Sequence, residues 1–237
     1  MPEAPALGMI VPRSAVVPNE ALTMYPSGVR FLMEAVGLET MTPAGYESVM
    51  DRIVPAAQAL AGRGAQAIAL MGTSVSFYKG AAFNESLVCS IRGATGLPST
   101  TMSTAVVKAL RAVGAKRVAV ATAYNEEVTG RLRGFLTESG FEVLAASGMG
   151  LERIGLAGKI SPRELQEFVT GVFRTAPASD ALLISCGGFR TLQLIAPLER
   201  ECGVPVISSM PHALWAGVRL LGLTGAAPGF GTLLSKI

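Results

Sequence analysis

Gly96-Leu97-Pro98 opens a stretch that passes through a short strand and Met102 into the helical pattern Ala105 to Val113 and stops at Gly114. Gly203-Val204-Pro205 opens a second one, which passes through Met210 into Ala213 to Leu221 and stops at Gly222. With one gap the two align end to end, and such self-similarity marks a duplicated structural unit. Upstream of each stand an apolar run, a turn and a helical pattern. In the first copy Ile68-Ala69-Leu70-Met71 ends on Gly72-Thr73-Ser74; in the second Leu182-Leu183-Ile184-Ser185 ends on Cys186-Gly187-Gly188. Gly72 and Cys186 therefore hold equivalent places in the repeat.

Working outward, short β-rich runs at Leu7 to Val11, Ala67 to Met71, Val118 to Ala121, Ala181 to Ser185 and Val204 to Ser208 predict strands. Helical periodicity falls at 43–63, 79–95, 103–113, 125–139, 161–175 and 190–202, several with Ser, Thr or Asn at the start and Gly at the end. This alternation predicts an α/β fold of parallel sheets covered by helices. Together with the repeat it gives two pseudo-symmetric lobes with the active site in the cleft between them, because open α/β sheets bind ligands at the carboxyl ends of their strands. The expected division is 1–113 plus 214–237 for the first lobe and 114–213 for the second.

Composition narrows the function. The 237 residues are half hydrophobic, enough for a substantial core. Lys and Arg total 20 against 17 Asp and Glu, and the resulting +3 is spread without a basic run, which argues against nucleic acid as a partner. No apolar stretch approaches the roughly 20 residues that span a bilayer, and Met1 to Met9 lacks the pattern of a signal peptide. The expectation is a cytoplasmic monomer. Three cysteines and one histidine, without ligand spacing, predict neither a disulfide framework nor a metal site. Glycine-rich turns with dinucleotide or phosphate-loop spacing are missing, so no nucleotide cofactor is expected.

Cys186 lies at a predicted strand end before two glycines, whose missing side chains let a ligand and backbone N–H groups approach closely. Free cysteine is often a small core hydrophobe, yet this placement favours chemistry. Thr73 and Ser74 offer hydroxyls and turn N–H groups to an anion, or simply a helix cap. Tyr124, after Val118 to Ala121, offers a third hydroxyl, with ligand contact and packing evenly matched. Pro12 and Arg13 end the first strand. His212 invites a Cys-His pairing, but its place at a helix start makes capping or surface exposure the expectation. Cys89 and Cys202 sit in helical patterns and are expected to be structural.

At these residues the chain resembles the aspartate/glutamate racemase superfamily, whose two lobes each present a cysteine to the α-carbon of a carboxylate. Within it the chain is similar, over nearly its whole length, to the arylmalonate decarboxylase family. The similarity is carried by Gly8 to Pro12, Leu70 to Ser74, Ser76 to Tyr78, Gly80 to Asn84, Thr100 to Ala105, Ala121 to Tyr124 and Ser185 to Gly188. Gly72 in place of the first cysteine is that family's mark. The resemblance implies cofactor-free, enantioselective decarboxylation of α-aryl or α-alkenyl malonates, small dicarboxylates, through an enediolate that Cys186 protonates. It implies a dioxyanion hole of Thr73, Ser74, Tyr124 and Gly187 for the retained carboxylate, and an apolar pocket of Leu38, Met41, Met71, Ile154 and Ala157, with Pro12, Tyr46 and Gly72 beside it. Met41, Ile154 and Ala157 differ from the family's usual residues. No charged group is expected near the departing carboxylate. The alternatives are a racemase or maleate-type isomerase of the same superfamily, or a protein that binds small carboxylates without turnover.

Overall fold

The computed structural model describes residues 3–236. Its first half runs β1 (Ala6–Val11), α1 (Asn19–Met24), β2 (Arg30–Ala35), α2 (Pro43–Glu47), α3 (Met50–Gly62), β3 (Ala67–Leu70), α4 (Thr73–Phe77), α5 (Ala81–Thr95), β4 (Ser99–Thr101) and α6 (Met102–Ala112). The second half repeats the plan with β5 (Arg117–Thr122), α7 (Glu126–Glu138), β6 (Glu142–Gly148), α8 (Pro162–Arg174), β7 (Ala181–Ser185), α9 (Ile195–Cys202), β8 (Val206–Ser208) and α10 (Ser209–Leu220). All strand pairs are parallel. The sheets are ordered β2-β1-β3-β4 and β6-β5-β7-β8, the same order twice. The duplicated stretches of sequence are β4 with α6 and β8 with α10.

The central strands β1, β3 and β7 are buried along their whole length, and β5 in all but Arg117. Helices cover both faces of such a sheet, so its strands read as continuous apolar runs, and this is why they were recognisable. The edge strands β2 and β6 are only half-buried. With fewer apolar demands, their sequences carry no strand pattern, and neither was expected. Helix starts follow local chemistry: the side chains of Thr42, Thr101, Asn125 and Ser161 accept the N–H of Gly45, Thr104, Val128 and Glu164. Each such cap stabilises its helix by about 1 kcal/mol.

Two helical expectations need correction. The pattern at 43–63 is two helices, α2 and α3, parted at Ser48 and Val49, where the Ser48 hydroxyl bonds to the Gly45 carbonyl. The pattern at 190–202 becomes helical only at Ile195. Ahead of it, the N–H groups of Thr191 and Leu192 are held by the half-buried Glu20 carboxylate of α1 instead of entering a helix.

Helices α6 and α10 pack on one another between the sheets, and α10 also lies on β3 and β4. It starts at Ser209, four residues ahead of the expected helix, which brings His212 into its buried first turn. His212 is neither exposed nor at the surface: it is 1% accessible, and its Nδ1 accepts the Ser208 N–H at 3.0 Å. Burial pushes its pKa down to about 4. The unfolded chain therefore takes up a proton at this position below about pH 6.5 that the native state refuses until about pH 4. Stability falls as pH falls through that window, by roughly 3 kcal/mol in all. Urea denaturation at pH 7 and pH 4.5 should show a larger loss in the wild type than in His212→Gln; equal losses would contradict this account.

Among the described residues no helix is long and apolar enough to cross a membrane.

Candidate active site

The cleft is assembled at the carboxyl ends of the four central strands. Pro12 follows β1, Gly72 follows β3, Ala123 and Tyr124 follow β5, and Cys186 follows β7. Register fixes their level, since Ile10 pairs with Leu70 in one sheet and Thr122 with Ser185 in the other. Both pairs of strand ends open into one cavity of about 310 Å³, at the small end of the range for small-molecule sites.

On the first side the chain leaves β3 through Gly72, whose φ of −137° is ordinary extended backbone, and enters α4 at once. The first N–H groups of that helix have no intrahelical partner, and Thr73 and Ser74 line the cavity. The turn is held from behind. Ser76 Oγ donates to the carbonyls of Gly72 and Thr73, and Ser103 Oγ to that of Thr73. Thr73 Oγ1 itself lies 3.0 Å from Ser209 Oγ and 2.8 Å from the Met102 sulfur, so the start of α10 and the start of α6 both orient it. Ser76, Ser103 and Ser209 were not singled out as supports of the site. The first two stand within the segments that carry the family resemblance, which was the available signal.

On the second side Cys186 is buried, with its sulfur accepting the Gly188 N–H at 3.4 Å. Desolvation pushes the thiol up to about 11, against the pull of the Gly188 and Phe189 N–H groups towards the thiolate. It is a protonated thiol throughout the neutral range. Gly187 packs against the Met102 and Met210 side chains, and a Cβ there would press on the Met102 thioether at 3.2 Å. Burial first, then the nearby Cys186 and Tyr46, hold the Tyr124 phenol well above its usual range, so it remains a neutral donor. Its loop is fixed by Gly148, where any side chain would run into the Tyr124 carbonyl and the hydroxyls of Thr122 and Thr129.

Pro12, Leu38, Met41, Met71, Gly72, Thr73, Ser74, Tyr124, Ile154, Ala157, Cys186 and Gly187 all line this one cavity. Tyr46 does not. Its ring packs on Tyr78 at 5.1 Å and is fully buried, with its phenol beside Ser74 and near Cys186, so it backs the cleft from behind instead of lining it. His212 lies outside the lining as well, which removes the Cys-His pairing. Cys89 is exposed on α5, so it is no core residue, and Cys202 is half-buried at the end of α9. The expectation of a site without charge also fails at its rim, where the exposed Arg13 joins the wall and its Nη1 reaches the Ile154 carbonyl at 3.5 Å. Because Arg13 and Ile154 are 141 residues apart, only the folded chain reveals this.

A family profile described as arylmalonate decarboxylase matches residues 7–234. The chain is 44% identical over 234 residues to an arylmalonate decarboxylase of Bordetella bronchiseptica, covering 98% of this chain and 97% of that one. It superposes with a TM-score of 0.96 and 42% identity on the crystal structure of a liganded arylmalonate decarboxylase variant, over 98% of this chain and 99% of the other. That variant exchanges a glycine for cysteine and a cysteine for serine, at positions as far apart as Gly72 and Cys186 are here. A maleate isomerase from Pseudomonas putida S16 shares the fold, with a TM-score of 0.90 at 22% identity over 98% of this chain and 99% of that one.

Proposed function

The chain belongs to the arylmalonate decarboxylase family, and from that premise we propose that this carboxy-lyase converts α-aryl or α-alkenyl malonates to single enantiomers of the monoacid without a cofactor. The observation that carries the reading is a lone buried thiol at one strand end facing, across the cleft, a turn where its pseudo-symmetric counterpart is glycine. A racemase needs an acid on both faces of a planar intermediate. Gly72 supplies none.

One carboxylate of the substrate lies in the cradle of Thr73, Ser74, Tyr124 and the Gly187 N–H. The other lies against Leu38, Met41, Met71, Ile154 and Ala157, with Pro12 and Gly72 completing the wall. Leaving water for such a surface costs an ion several kcal/mol, and departure as neutral carbon dioxide relieves that cost. The bonding pair passes to the α-carbon and its retained carboxylate as an enediolate. Preorganised donors hold the developing charge, each contributing about 3 kcal/mol, and an aryl group spreads it further. Cys186 then gives its proton to one face. The resulting thiolate is steadied by the Gly188 N–H and recovers a proton from water. Since one chain supplies every group, a monomer suffices, with lobes divided at 113/114 and 213/214 and the cytoplasm as its compartment.

The test is carbon dioxide release from phenylmalonate, α-methyl-α-phenylmalonate and maleate over a range of pH. Both malonates should react and maleate should not. Because the thiol is protonated below about 11, kcat should stay level to about pH 10 and fall on an ionisation near 11. Release from neither malonate, or a fall centred at the ordinary thiol value of about 8.5, would overturn the assignment.

A further inference from the structure

Next to the cleft lies a second hollow of about 510 Å³, which shares Arg13, Ile154 and Gly155 with the cleft wall. Its other charged lining residues are Arg153, Lys159 and Glu39, so three cations face one carboxylate. All three cations are exposed, and among the described residues none of them forms an ion pair.

The hollow is a built feature. Its floor joins the two lobes through an antiparallel bridge between Thr40 and Arg153, with the Ile154 N–H donating to the Glu39 carbonyl at 3.0 Å and the Met41 N–H to that of Glu152. Arg13 is tied to the same strip through the Ile154 carbonyl. Backbone pairing thus holds the cations' attachment points around one opening, and this opening adjoins the wall that bears Ile154 on its apolar side.

We propose that Arg13, Arg153 and Lys159 form an anion-capture vestibule that draws dicarboxylates to the cleft and favours the dianionic substrate over its monoanionic product. The inference rests on the malonate reading and names a recognition step that reading does not contain. The cleft itself has no cation beyond Arg13 at its rim, so the carboxylate that lies against the apolar wall is desolvated without a counter-ion. A cationic mouth within a Debye length, roughly 8–10 Å at ordinary ionic strength, offsets this by concentrating the dianion where it enters. Coulomb attraction scales with ligand charge. After decarboxylation the attraction halves, which assists release of the monoacid.

The experiment compares wild type, the double variant Arg153→Gln/Lys159→Gln, and a charge-matched control, Arg92→Gln/Lys108→Gln, at exposed helical positions away from the cleft. With phenylmalonate at low ionic strength, kcat/KM of the vestibule variant should fall about fivefold, carried by KM, and the difference should vanish near 0.5 M sodium chloride. The inhibition constant of phenylacetate, a monoanion, should rise only about twofold. The control should follow wild type at every salt concentration. Parallel salt profiles for all three proteins, or equal effects on monoanion and dianion, would overturn the proposal. Calorimetric binding of phenylmalonate reports the same differences without turnover, so a protein that binds it with this salt dependence yet releases no carbon dioxide would sink the decarboxylase reading and leave the vestibule standing.

Discussion

Cys186→Ser is expected to cut turnover of phenylmalonate by about a hundred- to ten-thousandfold, the range over which a positioned acid accelerates a proton transfer. The hydroxyl is smaller than the thiol and a far weaker acid, so it fills the site without supplying the proton. Nothing else at that strand end replaces it: His212 is turned away in α10 with its Nδ1 bound to Ser208, and Tyr124 belongs to the cradle. The fold should persist, because position 186 follows β7 and lies outside the strand's ladder, whose last pairing to β5 is Ser185 with Thr122. Circular dichroism and the thermal midpoint should match wild type while carbon dioxide release collapses. Near-normal turnover in a folded variant would remove the thiol from the mechanism.

Gly72→Cys is expected to turn a stereospecific catalyst into one that also racemises its product. The φ at Gly72 suits an L-residue, and the new Cβ would meet Val75 Cγ2 at 3.1 Å and Val75 Cβ at 3.2 Å, contacts relieved when the start of α4 gives by a few tenths of an ångström. A thiol there confronts the face of the enediolate opposite Cys186. Either sulfur can then deliver the proton, and a thiolate on one side can remove what a thiol on the other returns. Burial keeps the Cys186 thiolate scarce at pH 7, so racemisation of a single enantiomer of α-phenylpropionate should be slow there. It should quicken about tenfold per pH unit as pH approaches the thiol's value of about 11. Chiral chromatography over days is the measurement. Unchanged optical purity at pH 9 would refute the pairing of the two strand ends across one cleft.

Both expectations descend from features that were legible before any coordinates. The runs at β1, β3, β5 and β7 are apolar on both faces because both faces are covered, and this signal is local. The turns after them are marked by Gly72 and by Gly187 with Gly188, residues whose small size shows in the chain itself. Duplication made Gly72 and Cys186 equivalent. The edge strands, the break between α2 and α3 and the late start of α9 were not legible, since each depends on a distant partner: a half-covered sheet edge, the Ser48 hydroxyl folding back on Gly45, and Glu20 capping a loop 171 residues away.

The order of residues alone determined a doubled α/β chain with one cysteine where symmetry would allow two, because periodicity, turn chemistry and repetition are written over short spans. Tertiary structure alone decided that the thiol stays protonated, that Tyr46 and His212 lie behind the wall, and that Arg13, Arg153 and Lys159 crowd one opening. Those properties are set by burial and by charges brought together from remote parts of the chain, and neither desolvation nor proximity exists until the chain has folded.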